Sequence, residues 1–151
     1  MRERVPHYLI DTSVAVKWFV ERNEANVAEA RLLREAHLRG RCALHAPELL
    51  AFEIANTLAI GHGRESQQVH EALEAFQLVA INVSPLEWAT LGRSIEVATS
   101  LRVTVYDAYF LALAVAYGIP LITADDAFLR RIGPHPNAIP LRDLDLRVDL
   151  A

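Results

Sequence analysis

The stretch that decides the fold is residues 104–118, TVYDAYFLALAVAYG, which contains a single charged side chain, that of Asp107. After Asp107 no charged residue occurs until Asp125. A buried and unpaired carboxylate is costly, so Asp107 has to be exposed, paired or bound to a ligand. The segment predicts a helix, and Gly118 and Pro120 interrupt the apolar run before it reaches the length of a membrane span.

The composition predicts one folded domain, residues 1–151. The chain has 151 residues, of which 52% are hydrophobic, and a net charge of −4. A single cysteine excludes an internal disulfide framework. The first residues, MRERVPHYLID, lack the apolar core of a signal peptide, so we expect a cytoplasmic protein without a membrane segment.

Short apolar runs alternate with helical patterns along the chain. The runs that predict strands are HYLID (7–11), RCALHAP (41–47), INVSP (81–85), IPLITAD (119–125) and AIPLRDL (138–144). Longer amphipathic or apolar segments separate them. Such alternation is typical of βαβ units with right-handed crossovers, and it predicts an α/β fold with a parallel sheet covered on both faces.

Three aspartates occupy the edge of this sheet at which ligands bind. Asp11 and Asp125 end strands, and Asp107 begins a helix that should enter from the same edge. Glu53 lies within an apolar helix, where it shares a polar stripe with Asn56 and Thr57. For each aspartate taken alone, a helix cap is the ordinary interpretation, and Glu53 alone can face solvent.

Four carboxylates in one cleft repel each other unless a cation is present. Oxygen ligands without a Cys–His cluster favour Mg²⁺ or Mn²⁺ over zinc. The six histidines are scattered and show no metal-binding spacing, so we interpret them as surface or packing residues.

Three segments resemble the four motifs of the PIN domain, and within that family they most resemble the VapC-type toxins. The segments are LIDTSVAVKWF (9–19), APELLAFEIANTL (46–58) and TVYDAYFLALAVAYGIPLITAD (104–125). The resemblance runs from about residue 7 to residue 141. It implies a three-layer α/β/α sandwich around a mostly parallel sheet of four to five strands, and a metal-dependent endoribonuclease belonging to a toxin–antitoxin pair.

The resemblance also assigns candidate residues. It implies that four acids are catalytic and bind the metal, namely Asp11, Glu53, Asp107 and Asp125. It also implies that three polar side chains support them, namely Ser13, Asn56 and Thr123. Asp126 directly follows Asp125. Successive residues at a strand end point in opposite directions, so we expect one of the two to bind the metal, and the TAD match favours Asp125.

The expected reaction is hydrolysis of an RNA phosphodiester bond by metal-activated water, which leaves a 5′-phosphate. Without the four site acids the chain has 15 acidic and 15 basic residues, so RNA contact would fall to the metal and a few local cations. Lys17 and Arg102 are candidates, although for each of them a solvated surface residue is the ordinary interpretation. Few phosphate contacts predict a shallow salt dependence of RNA binding.

Two other classes of protein remain possible on the sequence. A phosphatase of the haloacid dehalogenase type would need a second Asp where Ser13 stands, and a phospho-acceptor receiver module would need a late lysine, whereas no lysine follows Lys17. The resemblance further implies a VapB-type antitoxin partner and a homodimer. Trp18 and Phe19 can form part of a groove for the antitoxin or belong to the core.

Overall fold

A sheet of five parallel strands forms the centre of the protein, in a computed structural model that describes residues 4–145. The strands are β1 (His7–Ile10), β2 (Ala43–Pro47), β3 (Asn82–Ser84), β4 (Leu121–Thr123) and β5 (Ala138–Pro140). Their order is β3-β2-β1-β4-β5, and every neighbouring pair is parallel. The predicted sheet of four to five mostly parallel strands is confirmed. The rest of the predicted domain, residues 1–3 and 146–151, lies outside the described residues.

Helices connect the strands and complete three layers. They are α1 (Thr12–Ala15), α2 (Val27–Leu38), α3 (Leu49–Asn56), α4 (Ser66–Val79), α5 (Trp88–Leu101), α6 (Val105–Tyr117) and α7 (Asp126–Ile132). The chain crosses the sheet in one direction from β1 to β3 and in the other from β3 to β5. Because such crossovers are right-handed, α2–α4 lie on one face and α5–α7 on the other. The predicted α/β/α sandwich is confirmed.

Helix α6 explains the apolar run with which the sequence analysis began. Residues 108–114 are all buried, and the helix packs against β1, β2 and β4 in the middle of the sheet. The left-handed conformation of Gly118, with φ of +65°, ends the helix. Strand β4 follows and is buried along its whole length, as expected for a parallel strand covered on both faces.

Trp18 belongs to the core. Its side chain is buried, its Nε1–H donates to the carbonyl oxygen of Ala30 at 2.9 Å, and its ring stacks on Phe76. Phe19 is half-buried and packs against the same core. The interpretation of Trp18 as part of an exposed antitoxin groove is therefore wrong.

Among the helices of residues 4–145, none combines the length and the apolar character that crossing a membrane requires.

The strand order reverses between β1 and β4, and this reversal positions the candidate site. From β1 the chain winds towards β3, whereas from β4 it winds towards β5. The connections therefore leave the carboxyl ends of β1 and β4 in opposite directions and open a crevice between them. Open α/β sheets bind their ligands at such a point.

Candidate active site

A cleft of about 260 Å³ lies at this edge of the sheet. The four acids predicted from the sequence line it, each from a different segment of the chain. Asp11 follows β1, Glu53 lies in α3, Asp107 lies in the first turn of α6, and Asp125 precedes α7. The fold therefore brings together carboxylates that are up to 114 residues apart in the sequence.

Ser13 holds the carboxylate of Asp11. The Ser13 hydroxyl donates to Asp11 Oδ1 at 2.5 Å and accepts the backbone N–H of Ala124 at 2.8 Å. Asp11 occupies the N-cap position of α1, but its side chain makes no capping hydrogen bond. Burial raises the pKa of Asp11 to about 6, the hydroxyls of Ser13 and Thr123 oppose this rise, and the nearby aspartates add to it.

Thr123 continues the hydroxyl network across the crevice. It is fully buried, its Oγ1 lies 3.3 Å from Ser13 Oγ, and it accepts the backbone N–H of Asp125 at 3.2 Å. Ser13 and Thr123 thus connect the segment after β1 to the segment after β4. They fix the backbone positions of Asp11 and Asp125 relative to each other.

Asp125 and Asp126 have different surroundings. Asp125 lines the cleft, and its Oδ1 also caps α7 by accepting the backbone N–H of Phe128 at 2.9 Å. The side chain of Asp126 instead forms an ion pair with Arg142 at 2.5 Å in a separate depression. Asp125 is therefore the member of the pair that faces the other acids.

The carboxylate of Glu53 has an unsatisfied oxygen. Within residues 4–145, Glu53 Oε1 and Thr12 Oγ1 are buried and have no hydrogen-bond partner. Burial and then Asp107 raise the pKa of Glu53 to about 7, while the nearby Thr12 hydroxyl opposes the rise without reaching hydrogen-bond geometry. A buried acceptor without a partner is costly unless a ligand satisfies it.

Asp107 is not the cap of its helix. The N-cap of α6 is Thr104, whose hydroxyl accepts the backbone N–H of Asp107 at 3.1 Å. Burial is the largest cause that raises the pKa of the Asp107 carboxyl, and Asp125 adds to it. Buried Phe110 lies one turn further along α6 and forms an apolar wall of the same cleft.

Three other residues predicted for the site do not line the cleft. Asn56 is exposed, and Thr57, where α3 passes into a π-helical turn, lines the cleft instead. Lys17 is buried and forms an ion pair with Glu24 at 2.6 Å. Arg102 is exposed at the end of α5. The sequence analysis did not single out Thr12 or Phe110.

The donor set suits a hard divalent cation. The four acidic side chains offer only oxygen donors, and the Oε1 atom of Glu53 lacks a hydrogen-bond partner. Three of the four carboxyls also have raised pKa values. In the described part of the chain, however, no three His, Cys, Asp or Glu side chains converge closely enough to hold a metal ion. The acids line the walls of the cleft, so binding a cation requires their side chains to turn inward.

Comparison with known proteins identifies the family. The PIN domain model matches residues 8–133, so the chain belongs to the PIN domain family. A search of curated proteins finds no match.

Solved structures share the fold at low sequence identity. A protein from Pyrobaculum aerophilum is 21% identical, with a TM-score of 0.64 and 95% of each chain covered. VapBC2 from Rickettsia felis, bound to a promoter DNA fragment, is 16% identical, with a TM-score of 0.61 over 89% of this chain and 96% of that one. VapBC-1 from nontypeable Haemophilus influenzae is 16% identical, with a TM-score of 0.62 over 90% and 98%.

Proposed function

We propose that the protein is a metal-dependent endoribonuclease and the toxin of a VapBC-type toxin–antitoxin pair. The observation that carries this proposal is the single cleft that Asp11, Glu53, Asp107 and Asp125 line together. Membership of the PIN domain family supports a nuclease. A binding module with a cation-holding cleft would need the same acids, so it is the family membership that favours the nuclease over this alternative.

The four acids would hold Mg²⁺ or Mn²⁺. Ser13 donates to the carboxylate of Asp11, and Thr123 accepts the backbone N–H of Asp125, so the two hydroxyls fix where these acids enter the cleft. Glu53 contributes the oxygen that lacks a partner. When bound, such a cation neutralises charge on the phosphoryl oxygens and makes a water molecule more acidic.

The carboxylates also provide the proton acceptor. A carboxylate of the cleft that does not bind the cation directly would accept the proton of the attacking water. No histidine lines the cleft within the described residues. The residues that line the cleft therefore favour attack by water over attack by the ribose 2′-hydroxyl. We expect a 5′-phosphate on the product.

The proposed partners follow from the structural neighbours. The Rickettsia felis and Haemophilus influenzae structures are VapBC assemblies. By analogy with them, a VapB-type antitoxin would hold this protein inactive. The resemblance to VapC-type toxins supports a homodimer that acts on RNA in the cytoplasm.

Cleavage of RNA by the Asp107→Asn variant tests the proposal. Because Thr104 caps α6, Asn at position 107 should change the free energy of unfolding by less than about 1 kcal/mol. Cleavage in Mg²⁺ or Mn²⁺ should fall at least ~100-fold, which corresponds to about 2.7 kcal/mol. Asp126→Asn is the matched control, since Asp126 also lies at the start of a helix but faces Arg142, and it should cleave like the parent. Parent activity in the Asp107 variant, or cleavage that survives EDTA, would contradict the proposal.

A further inference from the structure

The depression that contains the ion pair between Asp126 and Arg142 is a groove of about 470 Å³. One wall is a single face of α7, because Leu129 and Arg130 lie three and four residues after Asp126. The other wall is formed by β5 and the turn that follows it, with Pro140 and Arg142. We call this depression the α7–β5 groove. Two arginines therefore line it from different walls.

The turn between α7 and β5 adds His135 to the same groove and holds it in place. The Nδ1 atom of His135 accepts the backbone N–H of Asn137 at 3.0 Å, and its carbonyl oxygen accepts the backbone N–H of Ala138 at 3.2 Å. Pro134 and Pro136 flank His135, and a proline ring fixes the backbone φ angle. A neutral histidine that accepts at Nδ1 carries its hydrogen on Nε2. The groove therefore has a third, preorganised donor.

The charge of the groove differs in sign from that of the chain, whose net charge is −4. The described lining contains two guanidinium groups and one carboxylate, that of Asp126. Asp126 accepts from Nη1 of Arg142, and Asp143 lies 4.0 Å from its Nε, but a guanidinium has five N–H donors, so others remain for a ligand. Arg130 forms no ion pair or hydrogen bond within residues 4–145.

The other basic side chains of the described chain do not share a concave surface in this way. Those that form an ion pair, a hydrogen bond or a cation–π contact elsewhere are Lys17, Arg31, Arg34, Arg39, Arg64 and Arg93. Those that are exposed and line neither the groove nor the acidic cleft are Arg4, Arg22, Arg41, Arg102 and Arg131. Arg130 and Arg142 are therefore the two cations that converge on one groove.

We propose that the α7–β5 groove is a binding site for a phosphate group. The planar guanidinium matches phosphate oxygens in geometry, and a phosphate group presents several acceptor oxygens to donors that approach from different sides. Arg130, Arg142 and the Nε2–H of His135 supply such donors from three separate segments of the chain.

Two sources offer this chemistry, namely the backbone of a nucleic acid and a free phosphate ester such as a mononucleotide. The groove begins one strand away from the acidic cleft: Asp126 directly follows Asp125, and the register of β4 and β5 places Pro140 beside Thr123. Neighbouring strands lie about 4.8 Å apart. The nucleic-acid source rests on the proposed function. The groove would then change the affinity for RNA and not the cleavage rate at saturating RNA.

Titration with inorganic phosphate in EDTA tests the site, because the metal-free acidic cleft repels an anion. At constant ionic strength, phosphate should shift the amide NMR signals of residues 129–135. The Kd for phosphate should rise about tenfold in Arg130→Gln and in Arg142→Gln. Arg131→Gln is the matched control and should bind like the parent, since Arg131 shares the last turn of α7 but does not line the groove.

The control also separates the proposal from a role at the helix end. Cations near a helix C-terminus offset the helix dipole, so a purely structural role predicts the same result for Arg130→Gln and Arg131→Gln. The proposal is overturned if these two variants bind phosphate equally well, or if the shifted signals lie outside the groove.

AMP and a fluorescent RNA of about 12 nucleotides, both titrated in EDTA, distinguish the two sources. If a backbone phosphate occupies the groove, Arg130→Gln should reduce the slope of log K against log salt for RNA by about one, and Arg131→Gln should not. If Arg130→Gln weakens the binding of AMP and leaves RNA binding unchanged, the ligand is a free phosphate ester. An unchanged affinity for both probes overturns the proposal. Failure of the parent to cleave RNA in Mn²⁺ refutes the proposed function alone, because phosphate binding is measured without a cation.

Discussion

Replacing Glu53 by Gln should stabilise the metal-free protein at mildly alkaline pH. Burial and the charge of Asp107 raise the pKa of Glu53 from 4.5 to about 7. For a carboxyl with a raised folded pKa, the stabilising contribution is fully present below the unfolded pKa and is lost as pH rises through the folded value. At about pH 8 the parent therefore carries an ionised, buried carboxylate, and the glutamine variant does not.

The size of the effect follows from the pKa shift. A rise of the pKa from 4.5 to about 7 corresponds to roughly 3.5 kcal/mol, at about 1.4 kcal/mol for each pKa unit, and this is the upper bound. Glu53 is partly accessible to water, which lowers the expected gain to about 2 kcal/mol. At about pH 4.5 the gain should fall to less than about 1 kcal/mol, since the carboxyl is then protonated in the folded state and half-protonated in the unfolded state.

Urea unfolding in EDTA at about pH 8 and about pH 4.5 measures this difference. Glu74→Gln is the matched control, because Glu74 is an exposed glutamate in the helix α4, and its replacement should change stability by less than about 0.5 kcal/mol at either pH. The reasoning fails if Glu53→Gln is no more stable than the parent at pH 8, or if the gain is the same at both pH values.

Three further changes address the cation, Thr12 and Lys17. In a thermal unfolding assay, Mn²⁺ should raise the unfolding midpoint of the parent in a concentration-dependent way, because only the folded site binds the ion. The midpoint of Asp11→Asn should rise much less. Equal rises in the two proteins would mean that Asp11 is not a ligand. Thr12→Val removes the hydroxyl that lowers the pKa of Glu53, so the affinity for Mn²⁺, measured by titration calorimetry, should fall about tenfold. Thr12→Ser should restore this affinity. A serine variant that binds Mn²⁺ as weakly as the valine variant would contradict this role of Thr12. Lys17→Met leaves the carboxylate of Glu24 without its partner and should lower the free energy of unfolding in urea by about 1–3 kcal/mol. Its affinity for RNA, measured by anisotropy, should stay within about twofold of that of the parent. A large loss of RNA affinity would mean that Lys17 contacts a phosphate.

The candidate acids were predictable because strand ends and helix starts are visible in the sequence. Asp11 directly follows β1, Asp125 lies two residues after β4, and a parallel sheet brings such positions to one edge. The cap of α6 was also visible, since the segment TVYD (104–107) has a Thr three residues before an acid, a common capping pattern. The sequence analysis treated Asp107 as a possible cap, whereas Thr104 takes that role.

The surroundings of Lys17 and Asn56 depend on local departures from α-helical geometry. Lys17 lies four residues after Ser13, which in an α-helix would place it on the same face, but after Ala15 the chain tightens into a 3₁₀ turn, Val16–Trp18, and this spacing does not apply. Its partner Glu24 lies in a loop, where no periodic pattern predicts a contact. On a helix surface, the residues three and four positions after Glu53 are both its neighbours. The structure places the second of them, Thr57, in the cleft, and not Asn56.

The apolar run after Asp107 contributes directly to the chemistry of the cleft. For Asp11, Glu53 and Asp107, burial raises the pKa more than the neighbouring negative charges do. Phe110 supplies part of that burial, since the apolar face of α6 reaches the cleft. The same low-polarity surroundings that make ionised carboxylates costly also strengthen their attraction for a cation. An apolar helix behind the carboxylates therefore makes the empty cleft unfavourable and the occupied cleft favourable, which is a physical reason for placing a lone aspartate at the start of so apolar a segment.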